Sequence, residues 1–328
     1  MPRVRAAVVG VGYLGRFHAM KYRALPDVDL VGVVDIRRDR AEQVAQELDA
    51  EAHEHHRAII GKVDVVTVAV PTTEHHLVAR QLMKEGIHVL VEKPICASLE
   101  EAEDLVDTAK RSGVILQVGH LERFNPVVQA LKKRLNAPLF LECHRISPYP
   151  GRGADVDVVL DLMIHDIDLL LDFLKAEVVR VDAVGVPILT SRYDIVNARF
   201  QFAGGCVANV TASRVSAKSL RKIRVFQRDA YLSVDCNKGE LLEYRKLPAE
   251  QLGQLPRIVG ERLEVAESDT LLEEVRSFVD IVRGGGKAIV DGVMGMRCLE
   301  VALKVIHGIE ETVPEDLLDV LRTQQEDA

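Results

Sequence analysis

The chain has 328 residues, 48% hydrophobic and 28% charged, with a net charge of −8. That length buries a sizeable core and points to two domains, while the acidic balance argues against nucleic-acid binding as a main role. No window approaches about 18 uninterrupted apolar residues and the N-terminus leads straight into a strand, so neither a membrane span nor a signal peptide is expected. Cys96, Cys143, Cys206, Cys236 and Cys298 are scattered, without a C-x-x-C pair. This is the pattern of reduced thiols in a cytoplasm, with no structural zinc and no other metal site expected.

In chain order, Val4 to Val9 is an apolar run of the kind that forms a buried parallel strand. The turn Gly10-Val11-Gly12-Tyr13-Leu14-Gly15 follows it, then a helix to Leu25, then a second strand, Leu30 to Val34, that ends in Asp35. In this setting Gly10 permits the tight turn, Gly12 admits a pyrophosphate, and Gly15 lets helix and strand pack closely. The first helical amides and the helix dipole favour the phosphates. Asp35 suits the adenosine ribose hydroxyls and repels a 2′-phosphate, although Arg37 and Arg38 beside it could restore some NADP binding. The expected cofactor is therefore NAD ahead of NADP.

Arg38 to Leu48 reads as a helix, and Asp49 to Arg57 as a polar loop, because His53, His55 and His56 have no matching carboxylate or cysteine frame. Strands are expected at Val63 to Val70, Ile87 to Val91 and Val114 to Val118, with helices from Glu74 and from the capping residue Ser98. Alternation of this kind predicts a doubly wound parallel sheet. Beyond about residue 122 come a long helix, Asp157 to Leu174, and short strands from Val178 to Arg245. Helices at Thr270 to Arg283 and Gly292 to Ile309 and a polar tail follow. The fold class is α/β: a Rossmann domain over 1–122 and a second α/β domain over 123–328 with a large open, mainly antiparallel sheet.

On a wheel at ~100° per residue, Asp157, Asp161, His165, Asp168 and Asp172 share a stripe about 80° wide, and Asp166 lies off it. Asp161 and His165, at i and i+4, can hydrogen-bond, so that the carboxylate orients the ring and stabilises its charged form. Such a histidine can take a proton from an alcohol as a hydride departs. A structural Asp–His ladder in a buried helix would give the same pattern. Glu92-Lys93-Pro94 stands at the carboxyl end of its strand, where an open parallel sheet holds its ligand, and Lys93 could stabilise alkoxide character on a reacting oxygen.

Several motifs occur in family order: Gly10 to Gly15 with His18, Pro71 with His75, Gly86 to Pro94, and Asp161-x-x-x-His165-x-x-Asp168. Together they resemble the glucose–fructose oxidoreductase, inositol dehydrogenase and rhizopine-catabolism (Gfo/Idh/MocA) family of oxidoreductases. The resemblance implies a sugar dehydrogenase acting on CH–OH, with a cytoplasmic homodimer or homotetramer built through the second domain's sheet, and no nucleic-acid or membrane partner. Its catalytic set maps to Lys93, Asp161 and His165, and members differ over whether lysine or histidine accepts the proton. The cofactor set comprises Gly10, Gly12, Tyr13, Leu14, Gly15, Asp35, Ile36, Arg37, Val70, Pro71, Thr72, His75, Glu92 and Lys93. The substrate set comprises Lys93, Arg123, Asn125, Arg152, Asp161 and His165.

A narrower likeness concerns Gly119 to Pro126, Arg145 to Pro148, Gly151-Arg152 and Val158 to Asp168, which are similar to UDP-N-acetylglucosamine 3-dehydrogenases. It implies oxidation of a nucleotide-sugar 3-hydroxyl to a 3-keto sugar, the precursor of a 3-amino sugar for lipid A. Arg145, Arg152, Arg214 and Arg221 could then neutralise the diphosphate. A free polyol or hexose, such as an inositol, remains an alternative substrate, and an NAD(H)-sensing regulator is the alternative outside catalysis.

Overall fold

Two sheets account for every strand of the computed structural model, which describes residues 2–149, 151, 156–247, 257–266 and 268–312. The first is built from β1 (Val4–Val9), β2 (Val28–Val34), β3 (Glu51–His53), β4 (Val65–Val68), β5 (His88–Glu92) and β6 (Leu116–Gly119). The intervening helices are α1 (Tyr13–Ala24), α2 (Arg38–Leu48), α3 (Thr72–Lys84) and α4 (Leu99–Ser112). All six strands run parallel in the order β3-β2-β1-β4-β5-β6. The order reverses at β1, the switch point where a doubly wound sheet opens its ligand crevice.

The stretch Asp49–Arg57, expected as a loop, contains the three-residue strand β3. It pairs with β2 through its backbone and leaves Glu51 and Ala52 exposed, so no apolar alternation marks it.

The chain divides into two compact units, and the first is not contiguous. Residues up to Phe124 are joined by Asp269–Leu299, and the second unit holds Asn125–Ser268 and the residues from Glu300 onward. The division 1–122 and 123–328 therefore misses a returning segment. The cause is α7 (Thr270–Gly284), whose Val275, Phe278 and Val279 enter the core formed by Val8, Ala19, Tyr22 and Leu90. Burying side chains of this size contributes roughly 1.5–3 kcal/mol each. Lys21 on α1 also pairs with Asp269 at the start of α7, at 2.7 Å.

In the second unit α5 (Pro126–Lys132) precedes β7 (Phe140–Ile146), and α6 (Ile164–Leu174) precedes β8 (Val178–Val186). The strands β9 (Ile195–Phe202), β10 (Val207–Ser213), β11 (Leu220–Phe226), β12 (Ala230–Asp235), β13 (Glu240–Leu247) and β14 (Arg257–Glu264) follow. The sheet order is β14-β13-β12-β11-β7-β10-β9-β8, and only β7 and β10 pair in parallel. β14 was not anticipated, because as an edge strand it is exposed along nearly its whole length and lacks the two-residue period. The helix α8 (Gly292–Thr312) closes the described chain.

Alternation along β7 buries Leu141, Cys143 and Arg145 on one face. The Arg145 guanidinium meets the Asp166 carboxylate through Nε at 2.9 Å and Nη2 at 3.1 Å, with both side chains buried. Arg214 donates from Nε to Asp194 at 2.8 Å and from Nη1 to the Val156 carbonyl at 2.7 Å. Both arginines are thus committed to the core, which corrects their assignment to a diphosphate.

Burial pushes the Asp194 carboxyl up, but the Ile188 amide, the Arg214 guanidinium and the Thr190 and Leu189 amides outweigh it and bring it down to about 2. A depressed carboxylate stabilises the fold above its unfolded pKa, and that contribution is lost as pH falls through the folded value. Urea midpoints should therefore decline as pH drops from about 4 toward 2, and Asp194→Asn should lower stability at neutral pH and remove this part of the acid dependence.

Candidate active site

The first unit supplies a dinucleotide cradle. Gly10 has φ +85°, and a Cβ there would lie 2.6 Å from the Ala69 carbonyl oxygen. A Cβ on Gly15 would come within 1.8 Å of the Gly10 carbonyl oxygen, so helix and strand pack as the glycine spacing predicted. At Gly12 the nearest atom beyond its chain neighbours is Arg40 Nη1, 3.5 Å from a notional Cβ, which leaves room for a bulky anion. Gly12 caps α1 without a side-chain bond and no acid occupies the helix's first turn, so the amide end keeps its affinity for negative charge. These residues fit a nicotinamide dinucleotide.

Asp35 closes the cradle, 6% exposed at the end of β2. Its carboxylate accepts from the Val11 amide at 3.1 Å, the Arg37 amide at 2.9 Å and Arg40 Nη1 at 3.2 Å. A carboxylate has about four acceptor positions, so capacity for a ribose hydroxyl remains. The cation hydrogen-bonded to Asp35 through its side chain is Arg40, not Arg37 or Arg38. Arg37 pairs with Asp39 at 2.7 Å and Arg38 with Glu42 at 2.8 Å. The signal for Arg40 was helical: it sits in the first turn of α2, facing back toward the strand end, whereas Arg37, Arg38 and Asp39 before it are exposed. Tyr13 and Ile36 are exposed, and Leu14 is half-buried.

The second part of the cradle is the carboxyl edge of β4 and β5. Val70 and Thr72 are half-buried around an exposed Pro71, and His75 is buried one turn into α3. At the end of β5, Glu92 Oε1 lies 2.6 Å from His18 Nε2, in a pair that solvent scarcely reaches. The other oxygen accepts the Lys93 amide at 3.3 Å. Burial works against the Glu92 carboxylate, but the His18 hydrogen bond and charge, then the Lys93 charge and amide, hold its pKa below the usual range. Lys93 is half-buried, and the Lys93–Pro94 peptide is cis. Arg123 is buried in a 3₁₀ turn over Leu121–Phe124.

In the second unit the long helix departs from the wheel. Val159–Met163 form a π-helical turn before α6, so Asp161 belongs to a wider turn than His165. Such turns often occur at functional sites. The acidic stripe is also divided in purpose. Asp157 accepts the Tyr193 amide at 3.0 Å, and Asp172 pairs with Lys132 at 2.6 Å. Asp168 is buried, whereas Asp161 and His165 are half-buried on the turn and first residues of α6. Asn125 caps α5, its Oδ1 accepting the Val127 amide at 3.1 Å. Arg152 lies outside the described residues, and Arg221 is exposed on β11.

Two family models match the chain. Residues 4–120 match the oxidoreductase family with an NAD-binding Rossmann fold, and residues 144–241 match the Gfo/Idh/MocA C-terminal domain. The chain belongs to the Gfo/Idh/MocA oxidoreductase family. It is 39% identical to a UDP-N-acetylglucosamine 3-dehydrogenase of Acidithiobacillus ferrooxidans, over 94% of this chain and 98% of that protein. A solved structure of the enzyme of that name from the same organism superimposes with a TM-score of 0.88, covering 95% of this chain and 99% of that one. The scyllo-inositol 2-dehydrogenase (NAD(+)) of Bacillus subtilis is 27% identical over 98% of both chains. The chain is accordingly an oxidoreductase of the dehydrogenase type with a nicotinamide-binding Rossmann unit, and among its described residues no helix is long and apolar enough to cross a membrane.

Removing one partner of a buried ion pair leaves an uncompensated charge, at a cost of about 3–5 kcal/mol. His18→Leu should therefore destabilise the protein by that order in denaturant titrations. Paired replacement of His18 and Glu92 by Leu and Gln should recover part of the loss.

Proposed function

We propose that this protein oxidises the 3-hydroxyl of UDP-N-acetylglucosamine to the 3-keto nucleotide sugar, with NAD as electron acceptor. The observation that carries the reading is near-complete coverage, at 39% identity, by a relative of that activity. It is supported by a titratable pair on a helix start in the second unit and a lysine at a strand end in the first. In this reaction Asp161 orients the His165 ring and stabilises its charged form, and His165 removes the hydroxyl proton. Lys93, held at its backbone by Glu92, donates a hydrogen bond to the same oxygen and stabilises developing negative charge. The bound nicotinamide supplies the acceptor for the carbinol hydride. Arg123, Asn125 and Arg152 are assigned to the sugar or its diphosphate.

NAD is preferred because the Asp35 carboxylate repels a 2′-phosphate, while Arg40 beside it lessens the penalty. Asp35→Ser should shift the ratio of kcat/KM values toward NADP by about tenfold or more, the effect of removing a like-charge contact of about 1.4 kcal/mol. An unchanged ratio would contradict the assignment. The protein works in the cytoplasm as a homodimer or homotetramer. The open face of the eight-stranded sheet, with Arg199, Asn209 and the Glu142–Arg224 pair, offers the polar surface for assembly.

An inositol or another free polyol is the second reading, favoured by the similarity to inositol dehydrogenases. The test is NADH formation with UDP-N-acetylglucosamine and with a panel of polyols, in the presence and absence of UDP. Turnover of the nucleotide sugar with competitive inhibition by UDP is expected. Turnover of polyols alone, indifferent to UDP, would overturn the assignment. Lys93→Ala and His165→Ala should each lower kcat by about 100-fold or more, and His165→Ala should leave NADH binding intact.

A further inference from the structure

His75 is 1% exposed, and both of its ring nitrogens face backbone carbonyls. Nδ1 lies 2.9 Å from the Pro94 oxygen and Nε2 lies 3.0 Å from the Val70 oxygen. A carbonyl oxygen accepts and has no proton to give. A neutral imidazole carries one N–H, so it can donate to one of these oxygens while its other nitrogen turns a lone pair toward the second. Only the imidazolium, with two N–H groups, satisfies both.

The two carbonyls belong to different loops. Val70 lies between β4 and α3, and Pro94 follows Lys93 at the end of β5, the strand paired with β4. Both loops stand at the carboxyl edge of the parallel sheet, where the dinucleotide crevice opens.

We propose that His75 is a positioning residue operated by a proton: charged, it ties the Val70 loop to the Lys93–Pro94 loop, and neutral, it holds one and releases the other. The tied arrangement is the one that binds the nicotinamide cofactor, so deprotonation lowers the competent fraction and weakens apparent affinity in proportion. The inference rests on the cofactor site of the first unit, and on the reading above only for the task given to Lys93.

Burial is the largest influence on the ring and pulls its pKa below the ordinary histidine value, against the Pro94 carbonyl, the Glu92 charge and the Val70 and Ile95 carbonyls, which push it up. His18 on α1 and Glu274 on α7 gather at the same Glu92 carboxylate, and the Lys93 charge acts on it as well. The Cys96 thiol is pushed up to about 12 and stays neutral. On α4, Asp104 is engaged by His76 at 2.8 Å and by Arg80 at 2.6 Å. The tie is therefore complete only below a transition that lies under the usual histidine range, and it is lost as pH rises through that transition.

Two measurements on the full chain test this. Nitrogen NMR of histidine-labelled wild-type protein, followed downward from neutral pH, should show one His75 nitrogen protonated above its transition and both below it. Over the same transition the NADH dissociation constant, read by fluorescence, should weaken by about tenfold, the effect of one charge-assisted hydrogen bond. His75→Asn should bind NADH at the weaker level with a flat profile. A His75 that remains a single neutral tautomer throughout would overturn the proposal. So would an NADH affinity that stays flat across its transition, or the same pH profile in His75→Asn. The NMR measurement needs no variant, and neither readout needs a sugar, so an error in the substrate leaves both decisive.

Discussion

A buried carboxylate organises the carboxyl edge of the parallel sheet. Glu92 ends β5 where solvent scarcely reaches, and an ion of that kind persists only when surrounding groups replace its hydration. His18 provides one contact from α1 and the Lys93 amide another. The first helix of the cofactor fold, the strand that ends at the lysine and the lysine's own backbone are thereby held through one side chain. Because α1 also packs on α7, the returning segment that completes the first unit reinforces the same point.

The second unit follows a comparable logic with different elements. Asp157, Asp166 and Asp172 are taken by the Tyr193 amide, Arg145 and Lys132, which fixes the helix lengthwise and in rotation. Fixed in this way, the helix can carry a π-helical turn and present Asp161 and His165 at its half-buried side. Most of the acids on this helix thus serve to hold it, and the residues assigned to chemistry are the minority they support.

The cofactor fold was legible in the sequence because its signals are local: glycine spacing, apolar runs and an acid at the end of the second strand. The antiparallel sheet was legible where its strands alternate and illegible at β14, and the parallel sheet was illegible at β3, because neither edge strand shows a buried face. The return of α7 could not be read, since an amphipathic helix does not say which core receives it. Arg145 and Arg214 misled for a related reason. An arginine's sequence context does not reveal that a distant acid, Asp166 or Asp194, has already neutralised it. Arg40 is not evident from the residues immediately after Asp35, because it takes a turn of helix to bring the fifth residue back. The wheel treated the long helix as regular, and a single wider turn around Asp161 lay beyond that assumption.

In the proposed reaction the hydride leaves the sugar carbinol carbon for the nicotinamide as the hydroxyl proton departs. The most direct measurement uses UDP-N-acetylglucosamine deuterated at C3, with NAD, followed by mass spectrometry of both products. The expected result is reduced cofactor carrying one deuterium, in step with a 3-keto nucleotide sugar that has lost it. Reduced cofactor without deuterium, or an unchanged nucleotide sugar beside a polyol that is readily oxidised, would contradict it.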